Sequence, residues 1–301
     1  MIKMIEDTLS LDAPLKLLRR GQNLVFVARI GDTKKIIRVT DSKHRSKTAL
    51  LEEIRLLNNL GCQLRFICKP QKGPQNKWIE TADVNDQTKY ITFFEWAKGQ
   101  YPDLNRRNDV ARIAKSLAQL HHETSIHPHR YSRRFADESP YFQIEPDSQY
   151  PRSFDVLDWW ENLNKENRSY GLIHGDFNAS NMKLYNGQVK LFDFDDCCYH
   201  WYDYEIANTI YMFMFANRKY GIEKTIEFFD LFLLEYARHK SANFENVEQF
   251  ITYRVCLLNT WINNKSKAPL FIKTAEKEWI DELNGFIACY FDNFINALTS
   301  R

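Results

Sequence analysis

Residues 171–196 constrain this chain of 301 residues more than any other stretch, because they combine a predicted hairpin with an ordered set of oxygen side chains. Two short runs of strand-favouring residues, 182–185 and 188–192, flank the dipeptide Asn186-Gly187. This dipeptide accepts positive φ at both central positions of a type I′ turn. The stretch therefore predicts a β-hairpin whose two open ends lie side by side.

Three polar side chains stand at the open ends of this hairpin. Asp176 and Asn181 precede its first strand, and Asp193 follows its second strand. Carboxylate and amide oxygens are ligands that suit Mg²⁺, usually together with substrate phosphates. A second carboxylate that stays off the metal can take a proton from a hydroxyl group. The set therefore predicts phosphoryl transfer, in which a metal neutralises phosphate charge and a base orients the attacking oxygen.

The order of these residues resembles the catalytic motifs of protein kinases. Those enzymes carry His-Arg-Asp, an Asn five residues after that Asp, and a second metal-binding Asp beyond a hairpin. Asn181 stands five residues after Asp176, but Gly175 replaces the loop arginine. Asp193 is followed by Phe194 and then by no glycine. The chain therefore resembles the aminoglycoside phosphotransferase and choline kinase family of small-molecule kinases more than protein kinases.

This resemblance implies a bilobal, protein-kinase-like α+β fold. We expect a small lobe with an antiparallel sheet and one helix, and a larger, mainly helical lobe. A length of 301 residues suits roughly two domains. The implied boundary separates a nucleotide-binding lobe, residues 1–97, from a catalytic and substrate-binding lobe, residues 98–301.

Two helices are predicted from apolar residues that recur with a helical period. The first spans residues 46–61, with Ser46 as its N-cap and Gly61 just past its C-terminus. The second spans residues 109–121. Residues 20–30 are predicted to form a turn followed by a strand, and further strand-favouring runs lie at residues 35–39, 77–80 and 89–96.

The resemblance assigns a role to each residue of the motif. Asp176 would be the base that orients the acceptor hydroxyl. Asn181 and Asp193 would hold Mg²⁺ against the phosphates of ATP, and GTP is not excluded as the donor. The turn with Gly21 and Asn23 falls where such kinases lay their phosphate loop.

Arg38 falls where kinases carry the strand lysine that pairs with the α- and β-phosphates. A guanidinium is a permanent cation whose fork suits phosphate oxygens, so the role is open to it. Glu53 resembles the helix glutamate that fixes this cation. The alternatives, an arginine on a solvent-facing strand and a solvated helix glutamate, stay open.

The end of the strand at residues 89–96 resembles the hinge of this family. There the backbone of Glu95, Trp96 and Ala97 would contact the adenine edge. Only backbone atoms are implied, so the identity of these side chains carries little information.

Three residues after the hairpin, Asp195, Asp196 and Trp201, are expected to face the acceptor. Carboxylates there would favour a cationic small molecule, such as an amino-sugar, an amino alcohol or an amino acid. Members of the family then show Asp-Leu-Ala at the start of a helix that supports the catalytic loop. Glu205 stands at the place of that Asp, and Asp203 could share the role.

Two further features allow alternative interpretations. Residues 123–153 are polar and marked by prolines, and they form either a surface loop or a lid. Four neighbouring histidines invite a metal-site interpretation: His121, His122, His127 and His129. We set that interpretation aside because the oxygen ligands of the kinase motif already supply a metal site.

Composition speaks against several classes of protein. A net charge of +2 without a basic run gives no basis for a nucleic-acid partner, and no apolar run reaches the roughly 18 residues of a membrane span. The N-terminus lacks a signal-peptide core, and the six cysteines show no metal-ligand spacing. We therefore expect a cytoplasmic protein with reduced thiols. No feature predicts the oligomeric state.

Three alternatives to an antibiotic kinase remain. The acceptor could be a metabolite, as for the homoserine, choline and fructosamine kinases of the family. The chain could be a nucleotide-binding module without transfer activity. A protein kinase is the third alternative, and Gly175 argues against it.

Overall fold

The computed structural model of the protein describes residues 2–11, 14–127, 131–133, 142–147, 149–150, 152–165 and 169–300. The chain divides into two compact units. Unit 1 comprises Met1–Gln100, Tyr131–Arg133 and Met182–Asp195, and unit 2 comprises Tyr101–Arg130, Arg134–Asn181 and Asp196–Arg301. This compact division places the residues of the hairpin with the N-terminal unit. The functional boundary between residues 97 and 98 stays a prediction.

Unit 1 is built on an antiparallel sheet, six-stranded within the described residues. The strands are β1 Lys16–Arg20, β2 Leu24–Ile30, β3 Thr33–Asp41, β4 Pro70–Gln71, β5 Ile79–Val84 and β6 Gln87–Glu95. Strands β1, β2, β3 and β6 are neighbours in that order, and both β4 and β5 pair with β6. Alternate apolar residues of β2, β3 and β6 are buried, as expected for strands with one face on a core.

Within the described residues this unit has two helices, α1 Ile2–Leu9 and α2 Lys47–Gln63, where the sequence predicted one. The Ser46 side chain accepts a hydrogen bond of 3.2 Å from the backbone N–H of Ala49, which confirms the predicted N-cap. The predicted C-terminus at Gly61 was wrong, because α2 runs through this residue. A Cβ at Gly61 would lie 2.9 Å from side-chain carbons of Lys69, so this glycine permits close packing and does not end the helix.

The predicted hairpin is confirmed as β8 Met182–Tyr185 and β9 Gln188–Leu191. Asn186 and Gly187 have φ angles of 50° and 75°, as a type I′ turn requires. Backbone hydrogen bonds of 2.7 and 3.1 Å join Leu184 to Gln100, and Gly99 lets these segments approach. Its φ is 109°, and a Cβ there would lie 2.0 Å from the Leu184 carbonyl oxygen.

Unit 2 is mainly helical. Its longer helices are α3 Arg107–Ser125, α4 Arg152–Glu161, α5 Tyr202–Asn217, α6 Ile222–Ala237 and α7 Val247–Asn263, followed by α8 Leu270–Lys273, α9 Lys277–Gly285 and α10 Asp292–Thr299. A two-stranded antiparallel sheet joins β7 Tyr170–Ile173 to β10 Cys198–Trp201. Helix α3 packs on α6, and α5 packs on α7. The helix predicted at residues 109–121 is confirmed and is longer at both ends.

Two expectations depend on segments that the structure describes only in part. The loop or lid at residues 123–153 includes residues 128–130, 134–141, 148 and 151, which lie outside the described residues. In the part of the chain that is described, every helix is too short or too polar to cross a bilayer.

Candidate active site

Asp176 lies in unit 2, on a loop that leaves β7 and ends in a short 3₁₀ turn, Ala179–Asn181. Two amide side chains hold its carboxylate. Asn178 Nδ2 donates to Oδ1 at 2.7 Å, and Asn181 Nδ2 donates to Oδ2 at 2.7 Å. Both amides also donate to the Asp176 carbonyl oxygen, at 3.2 and 2.9 Å. The carboxylate is therefore fixed in one orientation.

The sequence analysis did not identify Asn178 as a functional residue. Its Oδ1 accepts hydrogen bonds from the Ser180 backbone N–H at 2.9 Å and the Ser180 hydroxyl at 2.6 Å. These contacts fix which end of the amide faces Asp176. The pattern Asp-x-Asn at the start of the loop is the signal that could have pointed to this role, because Asn readily bonds to backbone nearby.

Asn181 is fully buried. Because its Nδ2 is committed to Asp176, the atom of this side chain that suits a hard cation is Oδ1. The amide can therefore hold the carboxylate with one atom and offer an oxygen with the other.

Glu205 of α5 supports the loop that carries Asp176. Its Oε2 accepts the backbone N–H of His174 at 3.0 Å, and its Oε1 accepts that of Gly175 at 2.6 Å. Asp203 lies elsewhere, beside Asn246, and burial raises the pKa of its carboxyl group to about 6. The open choice between these two carboxylates is therefore decided in favour of Glu205.

His121 completes the support of this loop. Its buried ring lies between Glu205 Oε2, at 2.9 Å from Nε2, and the Tyr236 hydroxyl, at 2.8 Å from Nδ1. Burial lowers the pKa of His121, so the ring is neutral and donates to the carboxylate. Among the described residues, no three His, Cys, Asp or Glu side chains are arranged to hold a metal ion. His129 lies outside the described residues.

The first two residues of the loop have structural roles. The backbone N–H of Asp176 donates to Nδ1 of His174 at 3.2 Å. This imidazole therefore fixes the backbone of the loop at Asp176. Gly175 has a φ of 86°, and a Cβ there would lie 2.2 Å from the Asp196 carbonyl oxygen. Glycine is therefore required where protein kinases carry arginine.

In unit 1, Arg38 of β3 and Glu53 of α2 form a bidentate pair. Nη1 donates to Oε1 at 2.9 Å and Nη2 to Oε2 at 2.7 Å. Arg38 is 4% exposed and Glu53 1%, so the alternatives of solvent-facing side chains were wrong. Burial alone would lower the pKa of Arg38, but the carboxylates of Glu53 and Asp195 raise it.

Asp193 follows β9 in an unusual backbone conformation. Its φ is 69°, in the left-handed region that non-glycine residues rarely adopt. Such strain persists at sites where the surrounding structure enforces it, often for function. Its carboxylate lies 3.2 Å from Arg19 Nη1 and 4.0 Å from Arg38 Nη1. The oxygens of Asp193 are therefore held in a cationic part of unit 1.

Asp195 joins three segments of unit 1. Its carboxylate contacts His44 Nε2 at 2.9 Å, Arg45 Nε at 3.2 Å and Asn23 Nδ2 at 3.2 Å. Burial would raise its pKa, but His44, Arg38 and Arg45 lower it. His44 and Arg45 were not identified from the sequence, which carries no signal for partners so distant along the chain.

A model of the phosphotransferase enzyme family matches residues 16–247, most of the chain. The chain belongs to this family. The match spans every residue of the catalytic loop, the hairpin and the Arg38–Glu53 pair.

One curated relative in this phosphotransferase family is an amicoumacin kinase of Bacillus subtilis (strain 168). It is 23% identical over 209 residues, which are 65% of this chain and 62% of the relative. The chain therefore spans less than two thirds of the length of that relative.

Two solved structures of phosphotransferases resemble the whole chain. An amicoumacin kinase in complex with AMP-PNP and Ca²⁺ has a TM-score of 0.75 at 20% identity, over 93% of this chain and 88% of that one. A microcompartment-associated aminopropanol kinase has a TM-score of 0.77 at 19% identity, over 100% and 98%. This likeness confirms the predicted protein-kinase-like α+β fold class.

The remaining candidate residues lie in unit 1 at the end of β6 and at the turn before β2. Glu95, Trp96 and Ala97 are half-buried at the end of β6, where the Glu95 N–H donates to the Lys69 carbonyl oxygen at 3.0 Å. A Cβ at Gly21 would meet no atom within 4 Å, so no packing requires a glycine there.

The three residues expected to face the acceptor lie in different surroundings. Trp201 is only 3% exposed, and its indole N–H donates to the Asn164 carbonyl oxygen at 2.8 Å. Asp195 is buried as described above. Asp196 alone is exposed.

Proposed function

We propose that this chain transfers the γ-phosphate of ATP, with Mg²⁺, to a hydroxyl group of a small molecule. The observation that carries the proposal is the geometry of Asp176. Both oxygens of its carboxylate are held by amides, on a loop that Glu205 fixes through two backbone N–H groups. Membership of the phosphotransferase family supports it. The names of the relatives, amicoumacin kinase and aminopropanol kinase, support a small-molecule acceptor.

Asp176 acts as the base in this proposal. A bond forms between the acceptor oxygen and the γ-phosphorus, and the bond from that phosphorus to the bridging oxygen breaks, so that ADP leaves. The hydroxyl proton passes to Asp176. Two amide donors hold the carboxylate before the acceptor arrives, which favours a single productive orientation.

Asn181 and Asp193 are the proposed metal ligands. Both offer oxygens of the kind that Mg²⁺ binds, and the amide nitrogen of Asn181 is already committed to Asp176. The left-handed backbone of Asp193 supports a functional role for this residue. When bound, Mg²⁺ would neutralise charge on the phosphates.

Residues of unit 1 are proposed to bind the nucleotide. Arg38, fixed by Glu53, would contact the α- and β-phosphates, with the turn of Gly21 and Asn23 beside them. The backbone at the end of β6 would contact the base: Glu95, Trp96 and Ala97. GTP is retained as an alternative donor, because backbone contacts alone do not separate the two bases.

The test is transfer of labelled γ-phosphate into pooled amino-sugars, amino alcohols, hydroxy acids and sugars, with Asp176→Asn as the variant. We expect turnover to fall roughly 10²–10⁴-fold, as on loss of a general base, with Mg·ATP binding retained. Asp158→Asn, an exposed aspartate of α4, is the matched control and should keep full activity.

The outcomes separate the proposal from its alternative, a binding module without transfer activity. ATP binding with no label in any pool, and no hydrolysis that depends on Asp176, would favour the binding module. Absence of ATP binding would contradict both.

A further inference from the structure

Among the residues that the structure describes, Arg254 of α7 has no counter-ion within ion-pair distance. Its Nε donates to Asn208 Oδ1 at 2.8 Å, and the rings of Tyr211 and Trp261 lie 5.0 and 4.8 Å from the guanidinium carbon. Its Nη1 is buried without a hydrogen-bond partner. Within the described residues, no carboxylate lies within 4.0 Å of this guanidinium. The residue as a whole is half-buried, and Nη1 itself is not accessible to solvent.

Arg38 offers a comparison, although its Nε is likewise buried without a hydrogen-bond partner among the described residues. Arg38 is also held among aromatic and apolar groups, and both of its terminal nitrogens bond to Glu53. Aromatic faces stabilise a guanidinium, but they do not replace the oxygen acceptors that its N–H groups require. A buried donor without an acceptor is costly, and such groups in a folded protein call for an explanation.

Through its hydrogen bond to Asn208, Arg254 contacts the face of α5 that supports the loop of Asp176. Glu205, Asn208 and Thr209 stand at positions i, i+3 and i+4 of α5 and therefore share one face. Glu205 binds the loop N–H groups, and the Thr209 hydroxyl donates to the Phe177 carbonyl oxygen at 2.9 Å. Asn208, on the same face, binds Arg254.

Electrostatics place the same two groups in one neighbourhood. The phenol of Tyr204, on the preceding turn of α5, is acted on by the charges of both Arg254 and Asp176. Both charges are therefore near enough to the Tyr204 phenol to act on it.

Resting on the proposed function, we propose that Arg254 binds a carboxylate of the acceptor, which is therefore a hydroxy acid. The guanidinium fork matches a carboxylate better than any neutral group. Asp195, which was expected to favour a cationic acceptor, contacts His44, Arg45 and Asn23.

The experiment uses acceptor pairs that differ only in the carboxylate: L-threonine and 1-aminopropan-2-ol, L-homoserine and 3-aminopropan-1-ol, L-serine and ethanolamine. Transfer of labelled phosphate is measured for the full-length protein, Arg254→Gln, Arg254→Lys and the control Arg238→Gln. Arg238 is an exposed arginine of unit 2 paired with Glu235.

We expect the unsubstituted protein to prefer the carboxylated member of at least one pair. Arg254→Gln should lower kcat/KM for that member about 10- to 100-fold, mainly through KM, and leave the KM for ATP unchanged. Arg254→Lys keeps the positive charge but not the planar guanidinium, so its kcat/KM for that member should lie between those of the parent and Arg254→Gln. Activity on the member without a carboxylate should not change, and Arg238→Gln should match the parent.

Other results would overturn the assignment. Equal losses on both members would mean that Arg254 acts on structure or on a phosphate. A preference of the parent for the amine without a carboxylate would exclude the subsite. As a readout besides turnover, carboxylated compounds should raise the Tm of the parent with AMP-PNP and Mg²⁺, and not that of Arg254→Gln. If none raises it, the inference fails even where Asp176-dependent transfer upholds the proposed function.

Discussion

Asp195 in unit 1 and Asp203 in unit 2 are two aspartates of similar burial, 7% and 9% exposed, with opposite surroundings. Asp195 is surrounded by His44, Arg45 and Arg38, which lower its pKa although burial would raise it. Asp203 has Asn246 and Glu245 as neighbours, and burial raises its pKa to about 6. The comparison shows that burial alone does not decide the state of a carboxylate, because the charges of its neighbours also shift its pKa.

The two aspartates therefore contribute to the stability of the fold in different ways. The Asp195 carboxylate is ionised and joins segments around the proposed phosphate site. Ionisation of the buried Asp203 near neutral pH costs free energy of folding, whereas a solvent-exposed aspartate is ionised there without this cost. Glu205, two positions along α5 from Asp203, is a third case, because backbone N–H groups and a neutral histidine supply its donors.

The largest effect is expected for Glu205→Gln. Glutamine has one oxygen for the two N–H groups that Glu205 accepts, and its amide nitrogen would face a donor. We expect a loss of about 3–5 kcal/mol in the free energy of unfolding, as when one partner leaves a buried charged network. Turnover should fall with it, because the loop of Asp176 loses its support.

Urea unfolding and kcat at saturating ATP measure these two losses. The control is Glu161→Gln, an exposed glutamate of α4, which should leave both unchanged. A Glu205→Gln protein with parental stability and kcat would show that the loop is held by other contacts.

An intermediate effect is expected for Asp195→Asn. The change removes the charge that His44 and Arg45 face but keeps one oxygen, so we expect a loss of about 2–3 kcal/mol in the free energy of unfolding. The folded pKa is lowered below its ordinary value of 3.8. Stability from this group is therefore full above pH 4 and is lost as the pH falls below it.

Acid unfolding of the parent and of Asp195→Asn tests whether the contribution of Asp195 to stability falls as the pH falls. The variant should lose less stability than the parent between about pH 4 and pH 2. Asp32→Asn, an exposed aspartate of the β2–β3 turn, should follow the parent. If Asp195→Asn shows the same acid sensitivity as the parent, the cationic surroundings do not stabilise Asp195.

These residues also show what the sequence could and could not predict. The Asn186-Gly187 hairpin and the Ser46 cap follow from local rules, because a turn or a cap involves residues close in the chain. Arg38 and Glu53 followed from the order of elements that the family resemblance implied. Gly61 was misjudged, because a glycine that ends a helix and one that permits close packing read alike.

Contacts between residues far apart in the chain could not be predicted from the sequence. His44 and Arg45 contact Asp195 from 151 and 150 residues away in the chain, and no periodic pattern marks such a contact. The sequence presented Asp203 and Glu205 as equivalent carboxylates of one helical turn. Only the position of the loop N–H groups in space distinguishes them.

The smallest effect, and one of opposite sign, is expected for Asp203→Asn. Because the folded pKa of about 6 lies above the ordinary value of 3.8, Asp203 favours the folded state when protonated. That contribution is full below about pH 4 and is lost as the pH rises to about 6. Asparagine carries no charge at any of these pH values, so it avoids the cost of ionising a buried group.

Asp203→Asn should therefore raise the free energy of unfolding at pH 7, by roughly 1–3 kcal/mol, and flatten its pH dependence between pH 4 and pH 6. Urea unfolding at several pH values measures both, and kcat should stay at the parental level because Glu205, and not Asp203, accepts the N–H groups of His174 and Gly175. A destabilised variant would mean that the charge of Asp203 is compensated after all. A stabilised variant beside a destabilised Asp195→Asn would show that the two buried aspartates act on the fold with opposite sign, as their neighbours require.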